Sequence, residues 1–250
     1  MINVIIHGCG GKMGKVVESI LKEDENCAIA AGIDPREIKA DYPVFTSLSQ
    51  CDVKADVIID FSTASAVDAL LDYCVETGTP AVVCTTGLSN ELIDKLRKSS
   101  ESVALLKSAN MSVGVNLIMN LVKKAAEALY DSGFDIEILE KHHNQKIDAP
   151  SGTAIAIADS INEALDNKLN YVYDRSKVRE KRTRDQLGIS AIRGGTIVGE
   201  HDVIFAGKDE VITLSHQAMS KEIFAVGAVK AAKFLVGKPA GMYTMKNVLE

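Results

Sequence analysis

The first half of the chain alternates short apolar runs with segments whose apolar positions recur at helical spacing. Buried strands are predicted at INVIIHG, CAIAAGID, ADVIIDFS, PAVVCTTG and VALLKSAN. Helices are predicted between them, at KMGKVVESILKED, SAVDALLDYCVETG and SNELIDKLRKSS. This alternation predicts an α/β fold with a Rossmann-like, doubly wound parallel sheet and helices on both faces.

The second half has a different pattern. We predict a long helix at SVGVNLIMNLVKKAAEALYD, a strand at DIEILEKHH and a capped helix at APSGTAIAIADSINEALD. Several strands joined by glycine turns follow, which is typical of antiparallel or mixed sheet. A closing helix, SKEIFAVGAVKAAKFL, is expected to return to the first domain. The predicted domains are therefore residues 1–112 completed by 221–250, and a smaller α+β domain of residues 113–220 with a mixed sheet.

A glycine-rich loop, GCGGKMG, follows the first predicted strand and precedes a helix. Gly8, Gly11 and Gly14 let the backbone turn sharply and let a pyrophosphate approach the free N–H groups of the helix N-terminus. The G-x-G-x-x-G form is not met, since Met13 occupies its last position. A P-loop is excluded because Val16 replaces the Ser or Thr that binds Mg²⁺. The loop predicts a dinucleotide-binding domain.

Asp34 ends the second predicted strand, where an acid can accept hydrogen bonds from the adenosine ribose. The carboxylate would repel a 2′-phosphate, so NADH is favoured over NADPH. Lys12, Lys15 and Arg36 are close enough in sequence to soften this preference. The alternative is that Asp34, which precedes Pro35, belongs to an ordinary surface turn.

The segment EKHHNQKIDAPSGTA gathers several proton carriers. His142 and His143 should point in different directions along a strand, and no familiar zinc spacing surrounds them, so we predict no metal site. Lys146 follows closely, and the start of a helix after Pro150 would offer hydroxyls and N–H groups to a carboxylate. Beside a nicotinamide domain, these residues predict hydride transfer coupled to protonation.

Composition narrows the function classes further. The formal net charge of −6 argues against nucleic acid as a partner, and we interpret the basic run RSKVREKRTR, residues 175–184, as a solvated, mobile segment. Five cysteines without a C-x-x-C pair indicate reduced thiols in the cytoplasm. Neither a signal peptide nor an apolar run of about 18 residues is found, so no membrane partner is expected.

Across its whole length the chain resembles the 4-hydroxy-tetrahydrodipicolinate reductase (dihydrodipicolinate reductase) family of diaminopimelate and lysine biosynthesis. The resemblance is carried by the segment EKHHNQKIDAPSGTA, and by HGCGGKMG, IDFSTA, CTTG, SANMSVGVN, GEHDVIFAG and a final KNVL. It implies a homotetrameric reductase, assembled through the sheet of its substrate domain, that uses NADH or NADPH on a small dicarboxylate.

The resemblance also implies residue roles. His142 is the acid–base group and Lys146 the proton donor. The residues matching substrate-binding positions are His143, Lys146, Ser151, Gly152 and Thr153. Those matching the pyrophosphate loop and the ribose acid are Gly8, Cys9, Gly10, Gly11, Lys12, Met13 and Asp34. Those matching the nicotinamide site are Cys84, Thr85, Thr86, Ala109, Asn110 and Met111.

Two departures from the family pattern affect these roles. Pro35 stands where some members place an arginine for the 2′-phosphate, and Cys84 stands where a glycine is frequent; we interpret Cys84 as a buried structural thiol. Two alternatives remain at this point: another dehydrogenase acting on a small carboxylate, and an NAD-binding redox regulator without turnover.

Overall fold

The structure is a computed structural model that describes residues 1–250. The strands are β1 Ile2–His7, β2 Cys27–Ile33, β3 Val44–Phe45, β4 Val57–Asp60, β5 Ala81–Val83, β6 Ala104–Leu106, β7 Asp135–His142, β8 Asn170–Val172, β9 Gln186–Arg193, β10 Gly199–Ala206, β11 Val211–Ala218 and β12 Gly241–Tyr243. The helices are α1 Lys12–Glu23, α2 Ala64–Thr77, α3 Asn90–Ser100, α4 Val113–Leu129, α5 Gly152–Ala164, α6 Glu222–Leu235 and α7 Met245–Leu249. The chain divides into two compact units, Met1–Ser112 with Glu222–Glu250, and Val113–Lys221.

The first unit is built on a seven-stranded parallel sheet in the order β12-β6-β5-β4-β1-β2-β3. Its central strands are buried on both faces, which explains why they are continuous apolar runs. Helix α6 packs against α1 and against β4, β5 and β6. The predicted Rossmann-like sheet is confirmed.

The second unit contains a five-stranded mixed sheet in the order β11-β10-β7-β9-β8. Strand β7 is antiparallel to β10 and parallel to β9. The burial of β7 alternates strictly, and its buried face joins a core formed with α4 and α5. The predicted mixed sheet is also confirmed.

The basic run of residues 175–184 is exposed except at the half-buried Arg182, which agrees with its interpretation as a solvated segment, but its arginines also make specific contacts. Arg182 pairs with Asp135 and Glu137, and Arg175 also pairs with Glu137. Arg184 donates a hydrogen bond to the carbonyl of Tyr130. These arginines dock the run on the second unit because β7 presents acidic side chains on its less buried face.

None of the helices is both long enough and apolar enough to cross a membrane.

Candidate functional site

The loop between β1 and α1 folds tightly on its glycines. Gly8 has a φ of +85°, a left-handed conformation that glycine adopts readily. Its N–H donates to the carbonyl of Ile33 at 2.7 Å, and the Gly11 N–H donates to the Gly8 carbonyl at 3.0 Å. Gly11 caps α1 without a side-chain hydrogen bond, so no side chain caps the first N–H groups of the helix, at Lys12 and Met13. This geometry suits a pyrophosphate.

Asp34 lies beside the loop and is already engaged by protein donors. Its Oδ2 accepts from the Gly10 N–H at 3.0 Å and from Arg36 Nη2 at 3.0 Å, while its Oδ1 accepts from Arg36 Nε at 2.8 Å. The Arg36 guanidinium holds the pKa of Asp34 below its usual value. The Asp34 side chain is 3% exposed and that of Arg36 is 63% exposed, so Arg36 presents an exposed cation beside a buried carboxylate.

A cavity of about 390 Å³ lies in the first unit beyond the carboxyl ends of β4, β5 and β6. This edge of a parallel sheet is where α/β proteins bind ligands. The cavity brings together all six predicted nicotinamide residues, Cys84, Thr85, Thr86, Ala109, Asn110 and Met111, with Met13 of the glycine loop. It is also lined by Phe61, Ser62, Ser108 and Phe224, which the sequence did not single out.

A buried polar cluster lies at the same strand ends. Asp60 has no exposed surface; its Oδ1 lies 3.0 Å from His7 Nδ1 and accepts from Ser62 Oγ at 2.5 Å. Burial opposes ionisation of Asp60, but His7 and Ser62 hold its pKa below the usual value. Lys107 donates to the carbonyl of Thr85 at 2.8 Å, and burial lowers the pKa of Lys107.

Two thiols near these residues, those of Cys84 and Cys9, are not activated. Burial raises the pKa of Cys84 well above its usual value and also raises that of Cys9 in the glycine loop. Neither thiol is therefore suited to act as a nucleophile at neutral pH, since the thiolate is the reactive form.

In the second unit, β7 ends at His142, which is buried, and His143 lies just beyond the strand, half-buried. His142 Nδ1 lies 2.6 Å from Oε2 of Glu140. The two residues share a face because side chains two apart on a strand point the same way. Burial lowers the pKa of His142 despite the neighbouring carboxylate. The neutral imidazole therefore donates Nδ1–H to Glu140 and keeps an unprotonated Nε2.

Glu140 is held by several donors although it has no exposed surface. Arg193 donates to its two oxygens at 2.8 and 2.7 Å, and the Ser151 N–H donates to Oε1 at 2.9 Å. Burial opposes ionisation, but Arg193 and His142 hold the pKa of Glu140 below its usual value. Arg193 also donates to the carbonyl of Asp148, which ties the loop before α5 to the carboxylate.

Helix α5 begins at Gly152, with Ser151 as its N-cap. Ser151 Oγ accepts from the Ala154 N–H at 3.1 Å and lies 3.0 Å from Nε2 of His201 on β10. Nothing lies within 4 Å of where a Cβ on Gly152 would be, and Thr153 is half-buried in the first turn. The dipole of this helix start favours an anion.

Lys146 lies in the loop between β7 and α5, with its N–H donating to the His143 carbonyl at 3.1 Å. Its ammonium pairs with Asp148 at 2.8 Å, and its side chain is 22% exposed. The second unit thus brings together the predicted residues His142, His143, Lys146, Ser151, Gly152 and Thr153 around the end of one strand and the start of one helix.

The sequence did not single out three residues of this arrangement. Glu140 had a signal, since alternation along β7 places it on the face of His142. Arg193 had no signal, and His201 had only its place in the segment GEHDVIFAG, because the pairing of β9 and β10 with β7 is what brings both residues to Glu140.

Comparisons with known proteins agree with the resemblance. Residues 2–111 match the family "Dihydrodipicolinate reductase, N-terminus", and residues 114–249 match "Dihydrodipicolinate reductase, C-terminus". A 4-hydroxy-tetrahydrodipicolinate reductase of Caldanaerobacter subterraneus is 51% identical, over 100% of this chain and 99% of the relative. One of Clostridium tetani is 47% identical, over 100% of this chain and 97% of the relative.

The fold has a solved counterpart. The structure of dipicolinate-bound dihydrodipicolinate reductase from Paenisporosarcina sp. TG-14 superposes with a TM-score of 0.84 at 24% identity, covering 100% of both chains. The family matches of both halves of the chain and the full-length relatives thus indicate the same family. The chain belongs to the dihydrodipicolinate reductase family and is an oxidoreductase that uses a pyridine nucleotide.

Proposed function

We propose that this enzyme reduces 4-hydroxy-tetrahydrodipicolinate to tetrahydrodipicolinate with NADH or NADPH, in diaminopimelate and lysine biosynthesis. The observation that carries the proposal is the Glu140–His142 pair beside the N-terminus of α5, with Lys146 in the connecting loop. A base, an ammonium group and a helix start that favours an anion suit the reduction of a ring dicarboxylate.

The nucleotide binds the first unit in this proposal. Gly8, Cys9, Gly10 and Gly11 with the start of α1 hold the pyrophosphate, and the 390 Å³ cavity receives the nicotinamide. When bound, NAD(P)H supplies a hydride.

The residues of the second unit bind the substrate and move its protons. The N-terminus of α5 at Ser151, Gly152 and Thr153 holds one ring carboxylate, with His143 and Lys146 as further contacts. Unprotonated Nε2 makes His142 a base, suited to accept a ring proton and to return it to the departing hydroxyl, which leaves as water. The resulting C=C–C=N system accepts hydride at one end, and Lys146 donates a proton to the neighbouring carbon.

NADH is the preferred nucleotide in this proposal. Asp34 is ionised and accepts hydrogen bonds from the ribose hydroxyls once Arg36 yields its place. Pro35 offers no side-chain donor to a 2′-phosphate. The preference for NADH over NADPH is modest, because the exposed guanidinium of Arg36 can pair with the 2′-phosphate of NADPH as it pairs with Asp34.

We also propose a homotetramer, assembled through the face of the second sheet that α4 and α5 leave uncovered. Ile192 is exposed on this face, beside the half-buried Leu139 and Ile204. A mass in solution four times that of one chain is expected from light scattering, and a monomer would contradict it.

The cytoplasm is the proposed location. All five cysteines are free thiols, which supports it.

The function is tested by turnover of enzymatically generated substrate, with kcat/KM compared for NADH and NADPH. Oxidation of either nucleotide with formation of tetrahydrodipicolinate is expected, and NADH is expected to give the larger kcat/KM. Lys146→Ala should lower kcat about 10²- to 10⁴-fold, as for loss of a positioned acid, while exposed Lys168→Ala should not change it. Absence of turnover with both nucleotides would refute the function.

A further inference from the structure

His201 is a buried histidine that the proposed mechanism does not use. It is 4% exposed and lies opposite Glu140 on β7 and opposite His216 on β11, in a row across the sheet. Its ring meets that of His142 edge-on, with centroids 5.2 Å apart. Only its Nε2 has a hydrogen-bond partner among protein atoms, which is Ser151 Oγ at 3.0 Å.

Ser151 is fixed from three directions in this arrangement. Its N–H donates to Glu140, and its Oγ contacts both the Ala154 N–H and His201 Nε2. A hydroxyl has one proton and two acceptor lone pairs. Since the Ala154 N–H occupies one lone pair, the state of His201 Nε2 decides whether the Ser151 proton is left for a ligand.

Two tautomers of a neutral His201 have opposite consequences. If Nδ1 carries the proton, the Ser151 hydroxyl donates to Nε2 and turns a lone pair toward an incoming anion. If Nε2 carries the proton, it donates to Ser151 Oγ, and the hydroxyl proton is free for a carboxylate. Nδ1 has no hydrogen-bond partner in either state. A buried N–H without an acceptor costs more than a buried nitrogen lone pair without a donor, so the second state, with an unprotonated Nδ1, is favoured.

Burial keeps this histidine neutral. It lowers the pKa of His201 to about 4, and the nearby His142 acts in the same direction. A neutral ring has one N–H, so at neutral pH the proton of His201 is on either Nδ1 or Nε2.

We propose that His201 is a positioning residue that donates Nε2–H to Ser151 Oγ and so directs the Ser151 hydroxyl proton to a substrate carboxylate. The inference rests on the proposed function, because it takes Ser151 as a carboxylate ligand. The strength of the contact between Ser151 and the carboxylate then depends on His201 of β10, through one hydrogen bond between neutral groups.

The test measures dissociation constants for pyridine-2,6-dicarboxylate by calorimetry, with the NADH-saturated enzyme. Losing a hydrogen bond to a charged group should weaken binding about 10- to 100-fold, so His201→Phe and Ser151→Ala are each expected to do so. The double variant should bind no more weakly than Ser151→Ala alone, because His201 acts only through Ser151. His201→Gln, which keeps an N–H donor at the end of its side chain, should restore most of the affinity.

Nitrogen-15 spectra of histidine-labelled protein provide a readout that does not depend on a substitution. With the dicarboxylate bound, His201 should have a protonated Nε2 and an unprotonated Nδ1. A protonated Nδ1, or unchanged affinity in His201→Phe when Ser151→Ala is weakened, would overturn the proposal. Wild-type turnover is measured first, so failure of the proposed function is seen separately.

Discussion

His142 Nδ1 lies 2.6 Å from Oε2 of Glu140, a carboxylate with no exposed surface. The pairing fixes the orientation of the imidazole and places its unprotonated nitrogen at Nε2. The same carboxylate accepts two hydrogen bonds from Arg193 and one from the Ser151 N–H, so one buried acid organises the base, the loop and the helix start.

Glu140→Gln should lower kcat about 10- to 100-fold, less than removal of the acid–base group itself. The carboxylate raises the pKa of His142 against the larger effect of burial, so its loss should move the acid limb of the kcat/KM profile to lower pH. The measurement is steady-state turnover between pH 5 and 9. Glu137→Gln, on the other face of the same strand, is the matched control and should keep the wild-type profile. An unshifted acid limb in Glu140→Gln would contradict the assignment.

Arg36→Ala should lower kcat/KM for NADPH about tenfold more than for NADH. The guanidinium is the cation in direct contact with Asp34, and a 2′-phosphate entering beside that carboxylate needs a charged donor. Initial rates with each nucleotide give the ratio. Arg97→Ala removes an exposed arginine on α3 that pairs with Asp94, and it should leave the ratio unchanged. A ratio that stays constant in Arg36→Ala would mean that Arg36 does not contact the 2′-phosphate.

Acid should destabilise the fold through His201. Its pKa is about 4 in the folded protein, against about 6.5 when unfolded, so the unfolded chain binds more protons between these values. The contribution to the free energy of unfolding is complete above about pH 6.5 and falls by about 3 kcal/mol as the pH is lowered to about 4. Urea unfolding at pH 7 and pH 4.5 measures the decline, which should be smaller in His201→Gln. Equal declines in both proteins would contradict the expectation.

Gly14→Ala should destabilise the first unit by about 1–3 kcal/mol and weaken nucleotide binding. A Cβ at this position would collide with the Gly8 carbonyl oxygen and lie 2.8 Å from Cys9 Cα. The higher helix propensity of alanine, worth about 1 kcal/mol, does not offset such a clash with backbone. Gly194→Ala, where a Cβ meets nothing within 4 Å, is the control. Thermal unfolding and NADH titration report the effect. A variant as stable as wild type would show that the glycine-rich loop can move to accommodate the added Cβ.

The longer elements were accessible from sequence because their periodicity is local. The predicted strand DIEILEKHH corresponds to β7, and the predicted helix at SVGVNLIMNLVKKAAEALYD to α4. The short strands β3, β8 and β12 were not predicted. Two or three residues are too few to establish a period, and these segments become strands only because an edge of a sheet pairs with them.

By itself, the sequence determined the alternation that gives the parallel sheet, the glycine loop and the cluster of proton carriers, since each depends on residues close together in the chain. Only the tertiary structure decided what surrounds them. Arg193 reaches Glu140 across 53 positions and His201 reaches Ser151 across 50. The pairing of β9 and β10 with β7 brings Arg193 and His201 to these partners, and which strands pair is decided between segments far apart in the chain.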